Sequence, residues 1–149
     1  MARNLRMFGL DAELLDSSLS TLVTVAMEQG RCLITRRGKS NHSKSWPVPV
    51  MEILDESPEA QLIQVLKSLP QPVPKSRWFR RCLLCNTRLK DISREEAAFR
   101  VPDHVALSHV DFKNCTACGR IYWPGTHREN MLKNMQRWCL EAWGVVPQD

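Results

Sequence analysis

The chain has 149 residues, of which 43% are hydrophobic and 25% charged, with a formal net charge of +5 at pH 7. This ordinary globular composition argues against disorder throughout, and the length is too short for a large multidomain enzyme. The sequence contains neither the roughly 20 consecutive apolar residues that a membrane helix needs nor the apolar core of a secretory signal at its start. We therefore expect a soluble intracellular protein that has no membrane partner and a mild preference for anionic partners.

The first 69 residues alternate helix and strand signals. In chain order the patterns predict a helix over residues 2–8, a strand over 11–16, a helix between 17 and 30, strands over 31–36 and 48–54, and a helix that starts at 57–59. Gly30 ends the second helix, and Ser57 caps the third, which has proline at its first position. This alternation predicts an α/β fold with a parallel sheet.

A proline-rich segment at residues 70–76 divides the chain. Its three prolines disfavour both helix and a central strand, so it is expected to serve as a stiff linker between an α/β domain at 1–69 and a second domain at 77–149. The first 69 residues carry eight basic and eight acidic groups, whereas residues 70–149 carry 13 and eight. All of the net positive charge therefore belongs to the second part of the chain.

Cysteines are the most informative residues of the second part. Cys82, Cys85, Cys115 and Cys118 form two Cys-x-x-Cys pairs with 29 residues between them. Two such pairs supply the four sulfur ligands of a structural zinc site. Asn86 and Gly119 follow the pairs and tolerate the left-handed backbone of a zinc-ribbon turn. Redox disulfides and unrelated core cysteines are the alternatives. The remaining two cysteines, Cys32 and Cys139, are predicted to be buried as small apolar residues.

Short strands and one long helix complete the second part. Strands are predicted around residues 99–101 and 120–123, and a capping box formed by Thr126 and Glu129 is predicted to start a terminal helix. The helix carries an apolar stripe and ends before Gly144. We expect it to pack on the ribbon.

Two runs of basic residues are candidate contacts for nucleic acid. The candidate residues are Arg36, Arg37 and Lys39 in the first run and Arg77, Trp78, Arg80 and Arg81 in the second. Basic side chains attract phosphates, and an exposed aromatic ring can stack on an unpaired base. The alternatives are a solvated loop for the first run and a strand with Trp78 or Phe79 buried for the second.

Five segments match one known family, namely residues 5–12, 28–36, 61–66, 81–86 and 115–127. The most specific piece is Tyr-Trp-Pro-Gly-Thr-His at 122–127, which closely follows the second Cys-x-x-Cys pair. On these segments the chain resembles the Mut-seven C-terminal RNase domain family, a PIN-like nuclease fold followed by a zinc ribbon. The resemblance implies a PIN-like sheet within residues 1–69 that lacks its first strand, and a four-cysteine ribbon with a C-terminal helix within 77–149.

The resemblance also implies a chemistry, namely cleavage of RNA by carboxylates that hold Mg²⁺ or Mn²⁺ at the ends of parallel strands. The family's first catalytic Asp lies on the strand that would precede this chain, and Arg37 stands where another Asp is expected. Asp11 matches a family Asp and is the one catalytic candidate, with a turn-forming or capping role as its alternative.

Three functions therefore remain open at the level of sequence. The chain is expected to be an RNA-cleaving enzyme, a catalytically silent module that binds single-stranded RNA, or a zinc ribbon that contacts other proteins.

Overall fold

The computed structural model describes residues 1–36 and 46–149. The elements in chain order are α1 (Ala2–Met7), α2 (Leu19–Gln29), β1 (Leu33–Thr35), β2 (Val50–Glu52), α3 (Pro58–Lys67), a 3₁₀ turn (Lys75–Arg77), β3 (Lys90–Ile92), α4 (Arg94–Ala98), α5 (Asp103–Ser108), β4 (Phe112–Asn114), β5 (Ile121–Tyr122) and α6 (Thr126–Trp143). Among these described residues, none of the helices has the length and apolar character that crossing a membrane requires.

The first part of the chain contains a two-stranded parallel sheet. β1 pairs with β2 in the register that sets Leu33 opposite Val50. α2 precedes this sheet, and its first turn is capped by the Ser18 hydroxyl, which accepts a hydrogen bond from the Thr21 amide. The predicted α/β fold with parallel strands is confirmed. The strand predicted over residues 11–16 is wrong, because that segment pairs with no other strand and has no regular structure.

One hydrophobic core joins α1, α3 and α6. Its fully buried side chains include Phe8, Leu62, Leu66 and Met135. The indole nitrogen of Trp143 donates to the Leu66 carbonyl at 2.9 Å. The terminal helix thus packs on α3, because its apolar stripe complements the apolar face of that helix. Leu83 and Tyr122, from the segment predicted to form the ribbon, belong to the same core.

The linker segment does not separate this core, since residues from both sides of 70–76 contribute to it. Trp78 lies in the core with Phe8, and their ring centroids are 5.5 Å apart in an edge-to-face arrangement. The division into one domain at 1–69, a linker at 70–76 and a second domain at 77–149 stays a prediction.

The second part contains a three-stranded antiparallel sheet in the order β3, β4, β5. β5 lies within the strand predicted over 120–123. The strand predicted over 99–101 is wrong: this segment follows α4, and Phe99 is 96% exposed. α4 instead begins with a capping box in which Ser93 and Glu96 exchange hydrogen bonds.

The N-cap of the terminal helix α6 lies one residue before the expected cap. Gly125 is the N-cap and makes no side-chain bond, so Thr126 is already inside the helix and the predicted capping box does not form. The end of the helix is as predicted, with Gly144 in the left-handed conformation at φ 71°.

Gly9 allows α1 to end against the 3₁₀ turn. Its φ is 73°, and a Cβ atom at this position would lie 2.0 Å from the Arg77 carbonyl oxygen. Beside this contact, the Phe79 amide donates to the Met7 carbonyl at 2.8 Å. Both the left-handed backbone and the close approach therefore require glycine.

The substitution Gly9→Ala is expected to destabilise the protein far more than Gly30→Ala. Gly30 has φ 61° and no atom within 4 Å of its Cβ position. Alanine there costs only the free energy of a left-handed backbone, about 1–2 kcal/mol. At Gly9 the same penalty is joined by the clash with the backbone, a further 1–3 kcal/mol or so. Denaturant unfolding of both variants measures the difference, and equal losses would show that α1 does not pack against the 3₁₀ turn.

Candidate functional site

The four paired cysteines lie together, with all Sγ atoms within 4.8 Å of one another. The Sγ atoms of Cys82 and Cys118 are 3.6 Å apart, and those of Cys85 and Cys115 are 3.3 Å apart. Zn–S bonds of about 2.3 Å at tetrahedral angles place sulfurs about 3.8 Å apart. The donor set and the spacing therefore fit a structural zinc site with four thiolates.

The two turns that present these thiols have the same backbone design. Asn86 has φ 67° and Gly119 has φ 73°. The amide of Asn86 donates to the Cys82 carbonyl at 3.0 Å, and that of Gly119 to the Cys115 carbonyl at 2.8 Å. The left-handed turns predicted after each second cysteine are confirmed, and they point both thiols of a pair toward one centre.

The environments of the thiols favour different protonation states. Hydrogen bonding to the side chain and backbone of Thr87 lowers the pKa of Cys85 to about 6. Burial raises the pKa of Cys115 to about 12. One thiol is thus ionised near neutral pH, whereas a buried thiol such as Cys115 loses its proton when a cation binds it.

Arg6 ties α1 to the first cysteine turn. The side chain is buried, and its guanidinium donates to the carbonyls of Leu83 at 3.0 Å and Leu84 at 2.6 Å. Its Nε donates to the Ala12 carbonyl at 2.8 Å. Three backbone acceptors are satisfied by one cation, so the turn between the cysteines is held from the first helix. Sequence reasoning missed this residue, since a lone arginine in a short helix carries no signal.

Asp11 lies beside this connection and is fully paired. Its carboxylate accepts from Arg31 at 2.8 Å, Arg81 at 3.1 Å and the Asn86 side-chain amide at 2.7 Å. Partial burial opposes ionisation, but the hydrogen bonds from Arg31 and Asn86 and the charge of Arg81 outweigh it and lower the pKa of Asp11. The carboxylate therefore joins the chain after α1 to the first cysteine turn.

Metal-ligating side chains gather at one place within residues 1–36 and 46–149. The cluster there consists of the four cysteines, and no carboxylate belongs to it.

The two single cysteines differ in exposure. Cys139 is buried as predicted, and burial raises its pKa to about 11. Cys32 is exposed, so the prediction that it is buried is wrong. It stands just before β1, outside the strand whose side chains are partly buried.

The predicted nucleic-acid contacts fall in different environments. Trp78 is only 6% exposed, and its indole nitrogen donates to the Val73 carbonyl at 3.1 Å. Trp78 is therefore a core residue with no ring face free to stack on a base. The prediction that it contacts nucleic acid is wrong. Arg77 and Arg80 are exposed. Arg81 is partly buried, because it pairs with Asp11.

The first basic run is described only in part. Arg36 is exposed directly after β1. Arg37 and Lys39 lie outside the described residues.

A groove of about 820 Å³ lies beside the cysteine cluster, between the segment after the linker and the start of α6. The side chains that matter for its chemistry are Lys75, Phe79, Arg80, Arg81, Asp91, Asp111, Lys113, Trp123 and Arg128. We call it the aromatic groove. Phe79 lies within the second basic run, so the sequence already pointed to this part of the groove. Trp123 and Arg128 lie far from that run in the sequence, and only the fold brings them to the groove.

Comparison with known families gives a match over most of the chain. The family model described as the Mut7-C RNAse domain matches residues 1–135, a span that contains Asp11 and all four clustered cysteines and ends within α6. No curated protein and no solved structure matches the chain.

Replacing Cys82 and Cys115 together by serine is expected to remove zinc. The change deletes one thiolate from each pair, and two remaining thiolates do not complete a structural zinc shell. Metal analysis of purified protein should give about one zinc ion per chain before the change and almost none after it. Cys32→Ser, which alters a cysteine outside the cluster, is the control and should retain the metal. Unchanged zinc in the double variant would refute the ligand assignment.

Proposed function

Because the chain belongs to the Mut7-C RNAse domain family, we propose that it binds RNA through the basic surface of its second part. Residues 70–149 hold 13 basic and eight acidic groups. The proposal rests on two exposed arginines, namely Arg80, which lines the aromatic groove, and Arg77, which precedes it in the chain. Exposed guanidinium groups pair readily with phosphates because they stay charged and present several donors.

The four-cysteine cluster supports this surface structurally. Zinc bound by Cys82, Cys85, Cys115 and Cys118 would supply a rigid cross-link between the two turns. A shell of four thiolates keeps no open position for substrate, so this ion is structural and takes no part in cleavage. Tyr122 connects the cluster to the groove, since its hydroxyl lies 3.1 Å from the Cys82 sulfur.

Arg36 and the basic residues that follow it in the sequence are a second set of candidate phosphate contacts. Arg36 is exposed at the end of β1, and Arg37 and Lys39 add charge according to the sequence alone. In parallel α/β sheets, ligands bind at the carboxyl ends of strands. These residues are therefore assigned to RNA phosphates as well.

RNA hydrolysis with Mg²⁺ or Mn²⁺ is the second candidate function, and the family match favours it. A divalent ion at Asp11 would have to replace the contacts with Arg31 and Arg81 and would sit next to two positive charges. Like charges at such distances oppose binding. We therefore assign Asp11 a structural role and infer that RNA binding does not depend on its carboxylate as a metal ligand.

The expected result of a binding assay with labelled single-stranded RNA is retention at low salt without added metal. Arg77→Ala combined with Arg80→Ala should weaken binding and reduce the slope of log affinity against log salt by about 1.4, or 0.7 per lost phosphate contact. The pair Lys67→Ala and Lys133→Ala removes the same charge from exposed positions outside the groove and serves as the control. No retention by the unmodified chain would overturn the RNA proposal and favour a ribbon that contacts proteins.

The same samples with Mg²⁺ or Mn²⁺ test cleavage. Metal-dependent cleavage that Asp11→Asn abolishes, while RNA retention and zinc content stay unchanged, would contradict the structural role of Asp11.

A further inference from the structure

Two aromatic side chains from distant parts of the sequence reach the same groove. Phe79 follows the 3₁₀ turn, and Trp123 follows β5. Both are half-buried, in contrast to Trp78, which the core encloses. Each ring is thus anchored on one side while part of it still borders the groove.

Phe79 has an unusual backbone. Its φ is 54°, a left-handed conformation that a bulky residue rarely adopts. The hydrogen bond from its amide to the Met7 carbonyl holds this conformation. Strained residues of this kind concentrate at ligand sites, where the surrounding structure maintains them. The guanidinium of Arg128 lies over the ring, 4.7 Å from its centroid, and so brings a positive charge to the same place.

Trp123 is positioned by the glycine at the start of α6. A Cβ atom at Gly125 would lie 3.0 Å from the Trp123 indole nitrogen, so a larger residue there would require the indole to shift by a few tenths of an ångström. The other side of the residue packs on the small core around Phe112. The indole is therefore held rigidly, which lowers the entropy lost when a ligand stacks on it.

The groove is positively charged. Five lysine or arginine side chains and two aspartates line it. Arg80 and Lys113 pair with Asp91, and Arg81 pairs with Asp11 outside the lining. Within the described part of the chain, Lys75 and Arg128 enter no ion pair, so their charges are available to an anion.

From this juxtaposition we propose that the aromatic groove binds unpaired nucleotides of single-stranded RNA. One base stacks on Trp123 and another on the Arg128 guanidinium that covers Phe79, while Lys75 and the edge of the Arg128 guanidinium hold phosphates. The inference rests on the proposed RNA-binding function. It adds that the RNA is single-stranded and names the residues that contact it. Aromatic platforms combined with a basic track accept bases without sequence preference, because every base has a stacking face. A duplex offers the same phosphates but keeps its bases stacked inside, so it cannot use the two stacking faces.

The test compares three labelled oligonucleotides of equal length: single-stranded RNA, the same strand with several abasic positions, and an RNA duplex. Fluorescence anisotropy of the full chain with bound zinc, at about 50 mM salt, should rank single-stranded RNA first. Phe79→Ala and Trp123→Ala should each weaken binding of the intact strand about 5- to 100-fold and leave the abasic strand almost unchanged. Phe99→Ala removes an exposed aromatic ring outside the groove and is the matched control.

A further variant separates stacking from folding. Trp123→Phe keeps an aromatic face and should restore much of the preference for intact over abasic RNA, and zinc content reports whether each variant is folded. If the unmodified chain binds RNA but does not distinguish intact from abasic strands, the groove inference is overturned and the RNA-binding function stands. If it binds none of the three, both are overturned. If it prefers the duplex, the assignment to unpaired nucleotides is overturned alone.

Discussion

The buried guanidinium of Arg6 is the contact on which the rest of the structure depends. The Arg6 side chain extends from α1 and donates to the two carbonyls between the first pair of cysteines. These hydrogen bonds connect the first helix directly to the cysteine cluster. Leaving such carbonyls unsatisfied in the interior would cost about 1–3 kcal/mol each. Asp11 and Asn86 reinforce the same connection from the next turn. The position of the cluster relative to the core is therefore set by residues near the start of the chain.

The groove follows from this arrangement. Tyr122 accepts a hydrogen bond from the Leu83 amide and contacts Cys82, which fixes β5 against the first cysteine turn. Trp123 is the next residue along the chain, so its place in the groove depends on the cluster. Phe79 reaches the other part of the groove through its bond to the end of α1. A structural metal site can thus shape the surface that we propose for RNA binding.

Much of the candidate site could be predicted from the sequence because its signals are local. The two Cys-x-x-Cys pairs and the glycine or asparagine after them encode their turns directly, and Ser18, Ser57 and Gly30 mark helix ends by the same kind of short-range chemistry. β3 could not be predicted, because a short strand with exposed Lys90 and Asp91 exists only through its pairing with β4. Arg6 was missed, and Trp78 was placed among the nucleic-acid contacts, for a related reason. Charge and aromaticity suggest exposure, and only the tertiary contacts show that both are buried.

If zinc in the cysteine cluster and α1 form one structural unit through Arg6, hydrogen–deuterium exchange of the full chain before and after zinc chelation should show it. Amides of residues 5–10 should lose protection together with those of 82–86, by at least about tenfold, while α2, which packs against β1, serves as the internal reference. Lost protection at 82–86 with unchanged protection at 5–10 would contradict this coupling.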